Sequence, residues 1–305
     1  MIEINDKRLC SGCGACMNIC PKDVISMRED DEGCRYPIIN KKLCIDCGLC
    51  EKVCPILNIS SIASKEQIGY PLYYAGQLIQ KEELTTVSSG GAFWAIGQAL
   101  ISNGGVVYGV IQSGVDVILH SRAETIEELK KMRRSKYLQS DTGYIYRQVK
   151  MDLNNGRDVL FTGTGCQIAA LFSFLKKKYD NLYTCDVVCH GVPSDRVWRQ
   201  YREEKQKSET KVIQDLNFRD KTKGWSKNQY CITYEDGTEE REWIGTQLFH
   251  AGYLEGLFLR FSCGSCKFAK IPRKSDITLA DYWKYRGKFI DEYGDLGVSL
   301  IVVNN

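Results

Sequence analysis

The chain has 305 residues, 43% of them hydrophobic and 26% charged, with a formal net charge of +3. This is the balance of an ordinary globular protein, and so small a positive excess gives no argument for a nucleic-acid partner. There is no uninterrupted apolar run of about 18 residues and no basic-then-apolar leader pattern at Met1 to Asp6, so neither a membrane span nor an anchor is expected. Of fifteen cysteines, nine fall before residue 55 in metal-binding rather than bridging order, which places the chain in a reduced, cytoplasmic setting.

Residues 1–60 contain C-S-G-C-G-A-C-M-N-I-C-P at Cys10, Cys13, Cys16, Cys20 and Pro21. They also contain C-I-D-C-G-L-C-E-K-V-C-P at Cys44, Cys47, Cys50, Cys54 and Pro55. Two copies of C-x2-C-x2-C-x3-C-P are the mark of a bacterial two-cluster ferredoxin, in which the fourth cysteine of each run ligates the other cluster. The expected pairing is Cys10, Cys13, Cys16 and Cys54 on one [4Fe–4S] cluster, with Cys44, Cys47, Cys50 and Cys20 on the second. Two intervening residues bring successive sulfurs to neighbouring corners and leave backbone N–H groups facing the sulfides, a tight path that Gly12, Gly14 and Gly48 suit. Structural zinc is the alternative for isolated C-x2-C pairs, and the eight-cysteine duplication with its terminal prolines argues against it. Cys34 stands outside the pattern and reads as a packed thiol.

Residues 58–68 are polar and serine-rich and read as a linker. A second domain, 69–210, opens with a strand at 73–79. The run T-V-S-S-G-G-A-F-W-A-I-G-Q-A-L-I then has the apolar stripe of a helix, with Ser88 and Ser89 as candidate N-caps. Gly104-Gly105 ends it, two short strands follow, and then a charged helix over 125–134 and another over 143–155. R-D-V-L-F-T-G-T-G-C-Q-I-A-A-L predicts a buried strand, a glycine turn and a helix, the mark of a parallel α/β unit with a ligand edge. The strand 182–188 leads into C-H-G-V-P-S, whose Ser194 caps the next helix. From 211 the pattern becomes a closing α+β lobe: a hairpin turning at Asp236-Gly237, a helix over 246–260, the pair Cys263 and Cys266, the strand D-I-T-L-A-D-Y-W, and a last strand-like run whose stop at Asn305 suggests further chain.

Six cysteines remain. Cys185 and Cys231 lie in strands, where a buried thiol is the default. Cys166, Cys189, Cys263 and Cys266 lie in loops at strand ends, and four converging thiols suit a further [4Fe–4S] cluster or a zinc ion.

The set S-S-G-G (88–91), G-G-V-V-Y-G (104–109), R-S-K-Y-L-Q-S-D (134–141), Y-R-Q-V-K (146–150), G-T-G-C-Q-I-A-A-L (163–171), C-H-G-V-P-S (189–194), N-F-R-D-K (217–221) and S-D-I-T-L-A-D-Y-W (275–283) resembles the coenzyme F420 hydrogenase/dehydrogenase beta-subunit family. The resemblance spans essentially the whole chain. It implies a ferredoxin-like α+β iron–sulfur module fused to an α/β flavin domain with an α+β closing lobe. It also implies a third [4Fe–4S] cluster on Cys166, Cys189, Cys263 and Cys266. One departure stands out: Gly165 occupies the place of the family's proline before Cys166, which leaves that loop looser.

A flavin adenine dinucleotide (FAD) needs N–H donors for its pyrophosphate. Ser88, Ser89, Gly90 and Gly91 at one helix start, and Gly163, Thr164 and Gly165 at another, are small residues that suit close approach. The alternative is that they are caps and tight turns. Lys136 suits a phosphate or the reduced ring, Tyr137 lies beside it, and His190 is expected to support the site by hydrogen bonding. The implied activity is an oxidoreductase: a redox partner protein docks at the ferredoxin module, and the flavin exchanges a hydride with a soluble two-electron acceptor, coenzyme F420 in relatives. The competing reading is an electron-transfer module serving a partner enzyme, for instance in polysaccharide biosynthesis, without a substrate of its own.

Overall fold

The computed structural model describes residues 2–3, 6–62, 70–283 and 294–304. The expected linker therefore lies mostly outside the described residues. In the N-terminal module, helices α1 (Ala15–Ile19) and α2 (Leu49–Lys52) flank an antiparallel hairpin of β1 (Ile25–Glu29) and β2 (Arg35–Ile39). Each helix starts at a left-handed glycine, Gly14 at φ 76° and Gly48 at φ 68°, so both copies of the cysteine motif turn into their helix in the same way.

The larger part is built on a seven-stranded sheet. Its strands are β3 (Leu72–Gly76), β4 (Val106–Ser113), β5 (Val117–Ala123), β6 (Val159–Thr164), β7 (Leu182–Val187), β11 (Ile277–Asp281) and β12 (Ser299–Val303). They run in the order β3-β12-β11-β7-β6-β4-β5. The central β11, β7, β6 and β4 are parallel, and β5 and β12 are antiparallel to their neighbours. The parallel core is buried on both faces, as helices on each side require. Val106, Tyr108, Val159 and Phe161 pack toward α6 (Ile145–Asn154) and α7 (Gly165–Leu175). The alternate residues Val107 and Leu160 face α3 (Lys81–Leu84), α4 (Ala92–Ser102) and α5 (Ile126–Lys130), which is the period of two expected of strands.

A third layer joins α8 (Asp195–Glu209) and α9 (Leu248–Leu254) to a three-stranded antiparallel sheet of β8 (Ile213–Asp220), β9 (Gln229–Tyr234) and β10 (Glu239–Trp243). The hairpin turn falls at Asp236-Gly237 as expected. The helix expected over 246–260 shortens to α9 because Gly256 takes φ 74° and stops it. Since β11 and β12 enter the large sheet, the expected boundary at 210/211 does not divide that sheet: two of its seven strands come from beyond it.

The ferredoxin module is fastened to this body. Ala15, Val53 and Ile62 share a core with α7, and the β1–β2 turn meets the start of α8. There Ser194 Oγ donates to Glu32 O at 2.5 Å while accepting from Val197 N–H, and Asp195 N–H donates to Gly33 O at 3.0 Å. No helix among the described residues is long and apolar enough to cross a membrane.

Candidate redox centres

The cysteines expected to share the first cluster are Cys10, Cys13, Cys16 and Cys54. Burial pushes the Cys16 thiol up to about 12, with the charges of Cys10 and Cys54 adding to it. Cys13 is pushed well up by burial and by Cys16, Cys166 and Cys10, and Cys54 is raised by burial and by Cys10 and Cys50. Cys10, Cys13, Cys16 and Cys54 are thus mutual neighbours, with the fourth contributed by the other run. Backbone N–H groups already face these sulfurs, Ala15 toward Cys13 and Met17 toward Cys16. Cys20, Cys44, Cys47 and Cys50 line one cavity together with Pro21, Ile25 and Ile39.

The four loop cysteines converge as well. Cys166 lies in the first turn of α7, Cys189 follows β7, and Cys263 and Cys266 share a turn in which Cys266 N–H donates to Cys263 O at 3.3 Å. Burial, and then Cys263 and Cys266, push Cys166 up to about 11. Burial, then Cys166 and Cys263, push Cys189 up to about 12. The turn that lacks a proline is ordered by other means: Thr164 and Gln167 form a capping box, and Thr164 Oγ1 lies 3.1 Å from Cys166 Sγ. Cys34, Cys185 and Cys231 are packed thiols, at most 5% exposed. Among the described residues no three His, Cys, Asp or Glu side chains gather for a single metal ion, whereas a cubane spreads four thiolates over the corners of a cluster.

The first and third groups adjoin. Cys13 and Cys166 feel each other's charge, and the buried Tyr146 between them feels both while its hydroxyl donates to Cys13 O at 2.8 Å. Sequence reasoning missed Tyr146, and it missed Arg260, whose Nε donates to Cys10 O at 2.7 Å.

Residues 9–57 match the family described as a 4Fe-4S dicluster domain. Residues 156–305 match the family described as the C terminus of the beta subunit of coenzyme F420 hydrogenase/dehydrogenase. Residues 156–305, close to half of the chain, thus carry the C-terminal domain of the coenzyme F420 hydrogenase/dehydrogenase beta-subunit family. The chain carries an iron–sulfur dicluster domain at its N-terminus. A chain of the F420-reducing [NiFe] hydrogenase complex from Methanosarcina barkeri shares the fold at a TM-score of 0.51 and 17% identity, over 78% of this chain and 76% of that one. No curated protein matches the chain.

In this beta-subunit relative the two glycine segments expected at a pyrophosphate are occupied by the chain itself. Ser88 and Ser89 do not cap α4: its N-cap is Gly91, at φ 83° with no side-chain bond. Ser88 Oγ lies 2.9 Å from Ser135 Oγ and Ser89 Oγ donates to Val298 O at 2.7 Å. Gly90 N–H donates to Ser299 Oγ at 3.0 Å, and a Cβ on Gly90 would run into Gly76 O. Cβ atoms at Gly163 and Gly165 would press on Gln167 Oε1 and Phe268 O, at 2.9 and 3.0 Å. The glycines are required by close packing of backbone.

Tyr137 and His190 lie on the side of the third cysteine group, and Lys136 is tied to its own loop. Lys136 Nζ donates to Arg133 O at 2.5 Å, and desolvation followed by the nearby Arg134 push its ammonium down to about 7. Tyr137 packs edge-on to His250 and Tyr253, with ring centroids at 4.8 and 5.4 Å. His190 Nε2 lies 3.1 Å from Tyr253 O, and Tyr253 feels the charge of Cys189. On the far side of Tyr137, Arg219 pairs with Asp281 at 2.6 Å, and Asp281 accepts from Trp225 Nε1 at 2.9 Å. Trp225 stacks on Trp283 at 4.3 Å. Trp283 and Trp243 then line a cleft of about 410 Å³ with Ser226, Asn228 and Leu254. Tyr253, Tyr137, the Arg219–Asp281 pair and Trp225 thus connect the surroundings of Cys189 to this cleft.

Proposed function

We propose that the chain is an iron–sulfur flavoprotein that passes electrons between a partner protein and a soluble two-electron acceptor, for which coenzyme F420 is the candidate its family suggests. The observation that carries this reading is that Cys13 of the ferredoxin module and Cys166 and Cys266 of the loop group pack against one shared core. The ligands are Cys10, Cys13, Cys16 and Cys54, then Cys44, Cys47, Cys50 and Cys20, then Cys166, Cys189, Cys263 and Cys266. When bound, cubanes supply one-electron transfer and a flavin supplies the pairing of two electrons into a hydride. Cys47 is exposed, and Leu43 and Ile45 around it are 62% and 57% exposed, an apolar rim suited to transient docking of a redox partner. Tyr146 and the helix starts of α1 and α7 hold the inner groups in register and keep water from between them. The helix starts at 88–91 and 163–165, with Lys136, Tyr137 and His190, are the candidate flavin contacts, and the tryptophan cleft is where its acceptor would enter.

Anaerobically purified protein is expected to hold about twelve iron and twelve acid-labile sulfide per chain, with flavin released on acid treatment. Changing Cys263 and Cys266 to serine removes about a third of the iron and leaves the ferredoxin signals. Iron near eight in both forms eliminates the third centre. Clusters without flavin turn the reading to an electron-transfer module serving another enzyme, and a colourless protein turns it to zinc. With flavin present, dithionite-reduced protein offered F420, nicotinamides and quinone analogues identifies the acceptor.

A further inference from the structure

Arg260 is 1% exposed and, among the described residues, has no carboxylate within ion-pair distance. An arginine keeps its proton in any protein setting, and a buried unpaired cation is costly. The other cations of this corner are paired: Lys7 with Asp30 at 2.5 Å, and Arg35 with Asp195 and Asp141 at 3.1 and 3.4 Å. The Arg260 guanidinium lies over the Tyr36 ring at 4.2 Å, with Nε on Cys10 O and Nη1 3.4 Å from Gln139 Oε1, while Nη2 has no partner among the described residues. Two further buried hydroxyls at this spot, Ser11 Oγ and Tyr36 OH, are also without partners there.

The position is fixed from both sides. Gly12, in the first cysteine loop, leaves room for the guanidinium: a Cβ there would come within 2.8 Å of Arg260 Nη1. Arg260 opens the turn that carries Cys263, and its N–H donates to Val192 O at 2.9 Å. Its charge acts on Cys166 and Cys263 of the third group. It is thus a buried cation between two four-thiolate groups, with a free donor and, among the described residues, no protein anion to answer it. A cubane with four thiolates is anionic, and hydrogen bonds to its sulfurs together with local charge set its potential.

Resting on the cluster reading above, we propose that Arg260 is a positioning residue shared by the first and third clusters, its Nη2–H donating to cluster sulfur and its charge raising the reduction potential of both. The outer cluster on Cys20, Cys44, Cys47 and Cys50 lies beyond its reach and serves as an internal control.

The test is a potentiometric titration of the loaded, anaerobic protein followed by electron paramagnetic resonance, on wild type, Arg260→Gln and Arg260→Lys. Arg260→Gln is expected to lower the reduced-to-oxidised ratio of the two inner clusters at fixed potential by tenfold or more, a shift of about 59 mV for one electron. The outer cluster keeps its value. Arg260→Lys keeps the charge but loses the planar fork, so it shifts the same two clusters in the same direction by less. Should Arg260→Gln fail to fold, Arg260→Lys decides alone: a shift confined to the inner clusters supports the proposal, and unchanged inner potentials overturn it. Equal shifts in all three clusters also overturn it. Wild-type protein without a third cluster defeats the cluster reading itself, which the iron count reveals before any titration.

Discussion

The two copies of the cysteine motif are alike in sequence and opposite in surroundings. In the first copy, a Cβ on Gly14 would run into Thr142 Oγ1 and one on Gly12 would press on Gln139 and Arg260. In the second, a Cβ on Gly48 would meet nothing within 4 Å, and the place of Gly12 is held by Asp46, which takes φ 48° itself. Cys13 O is held by Tyr146, while Cys47 is exposed. The shared spacing makes a cluster site; its surroundings decide whether that site faces the body or a visitor. The first copy faces the body and the second faces outward, where the proposed docking port lies.

Gly14→Ala should break this contrast most sharply, because a positive φ and a filled space add up to a cost of about 3 kcal/mol or more. A collapse of thermal stability and loss of inner-cluster iron are expected, and normal iron with an unchanged unfolding midpoint would show that the first copy is not gripped. Tyr146→Phe comes next. It leaves Cys13 O with only the longer bond from Thr142 Oγ1, at 3.4 Å, and costs about 1 kcal/mol, read as faster loss of the inner cluster signal on mild heating. Gly48→Ala carries only the strain of a left-handed residue, about 1 kcal/mol, so its midpoint should stay well above that of Gly14→Ala. The smallest effect on stability belongs to Leu43→Asp, within about 0.5 kcal/mol. Its expected signature is kinetic: slower electron uptake from a ferredoxin-type donor at unchanged iron content, and equal rates in both proteins would move the port elsewhere.

Local chemistry made much of this legible. The crossing of Cys54 and Cys20 between runs, the strand–turn–helix at 159–175 and the Asp236-Gly237 turn each depend on residues a few positions apart. The convergence of Cys166, Cys189, Cys263 and Cys266 came from the family resemblance, since spacings of tens of residues carry no period. The packing partner of the serine–glycine run was not legible, because it is Ser299, 209 positions beyond Gly90. Small residues that permit approach to a phosphate permit approach to a strand equally well, and composition does not say which. Lys221, in N-F-R-D-K, illustrates the same limit: its Nζ donates to Leu84 O, Ser89 O and Leu296 O and ties three segments together. Arg260 left no signal, because nothing near it in sequence names Cys10 as its neighbour.

The placement of β12 between β3 and β11 has a consequence for the birth of the molecule. A strand made of residues 299–303 fills a slot beside one made of residues 72–76, so the large sheet cannot close until nearly all of these 305 residues have been synthesised. Such distant pairing is slow to form and leaves strand edges bare in the interim. The cysteine-rich head leaves the ribosome first, yet the wall of its inner site, at Gln139, Tyr146 and Arg260, arrives much later. Iron delivered early would find the second half of the module complete and the inner half unwalled, so maturation of this protein favours cluster insertion after β12 has paired.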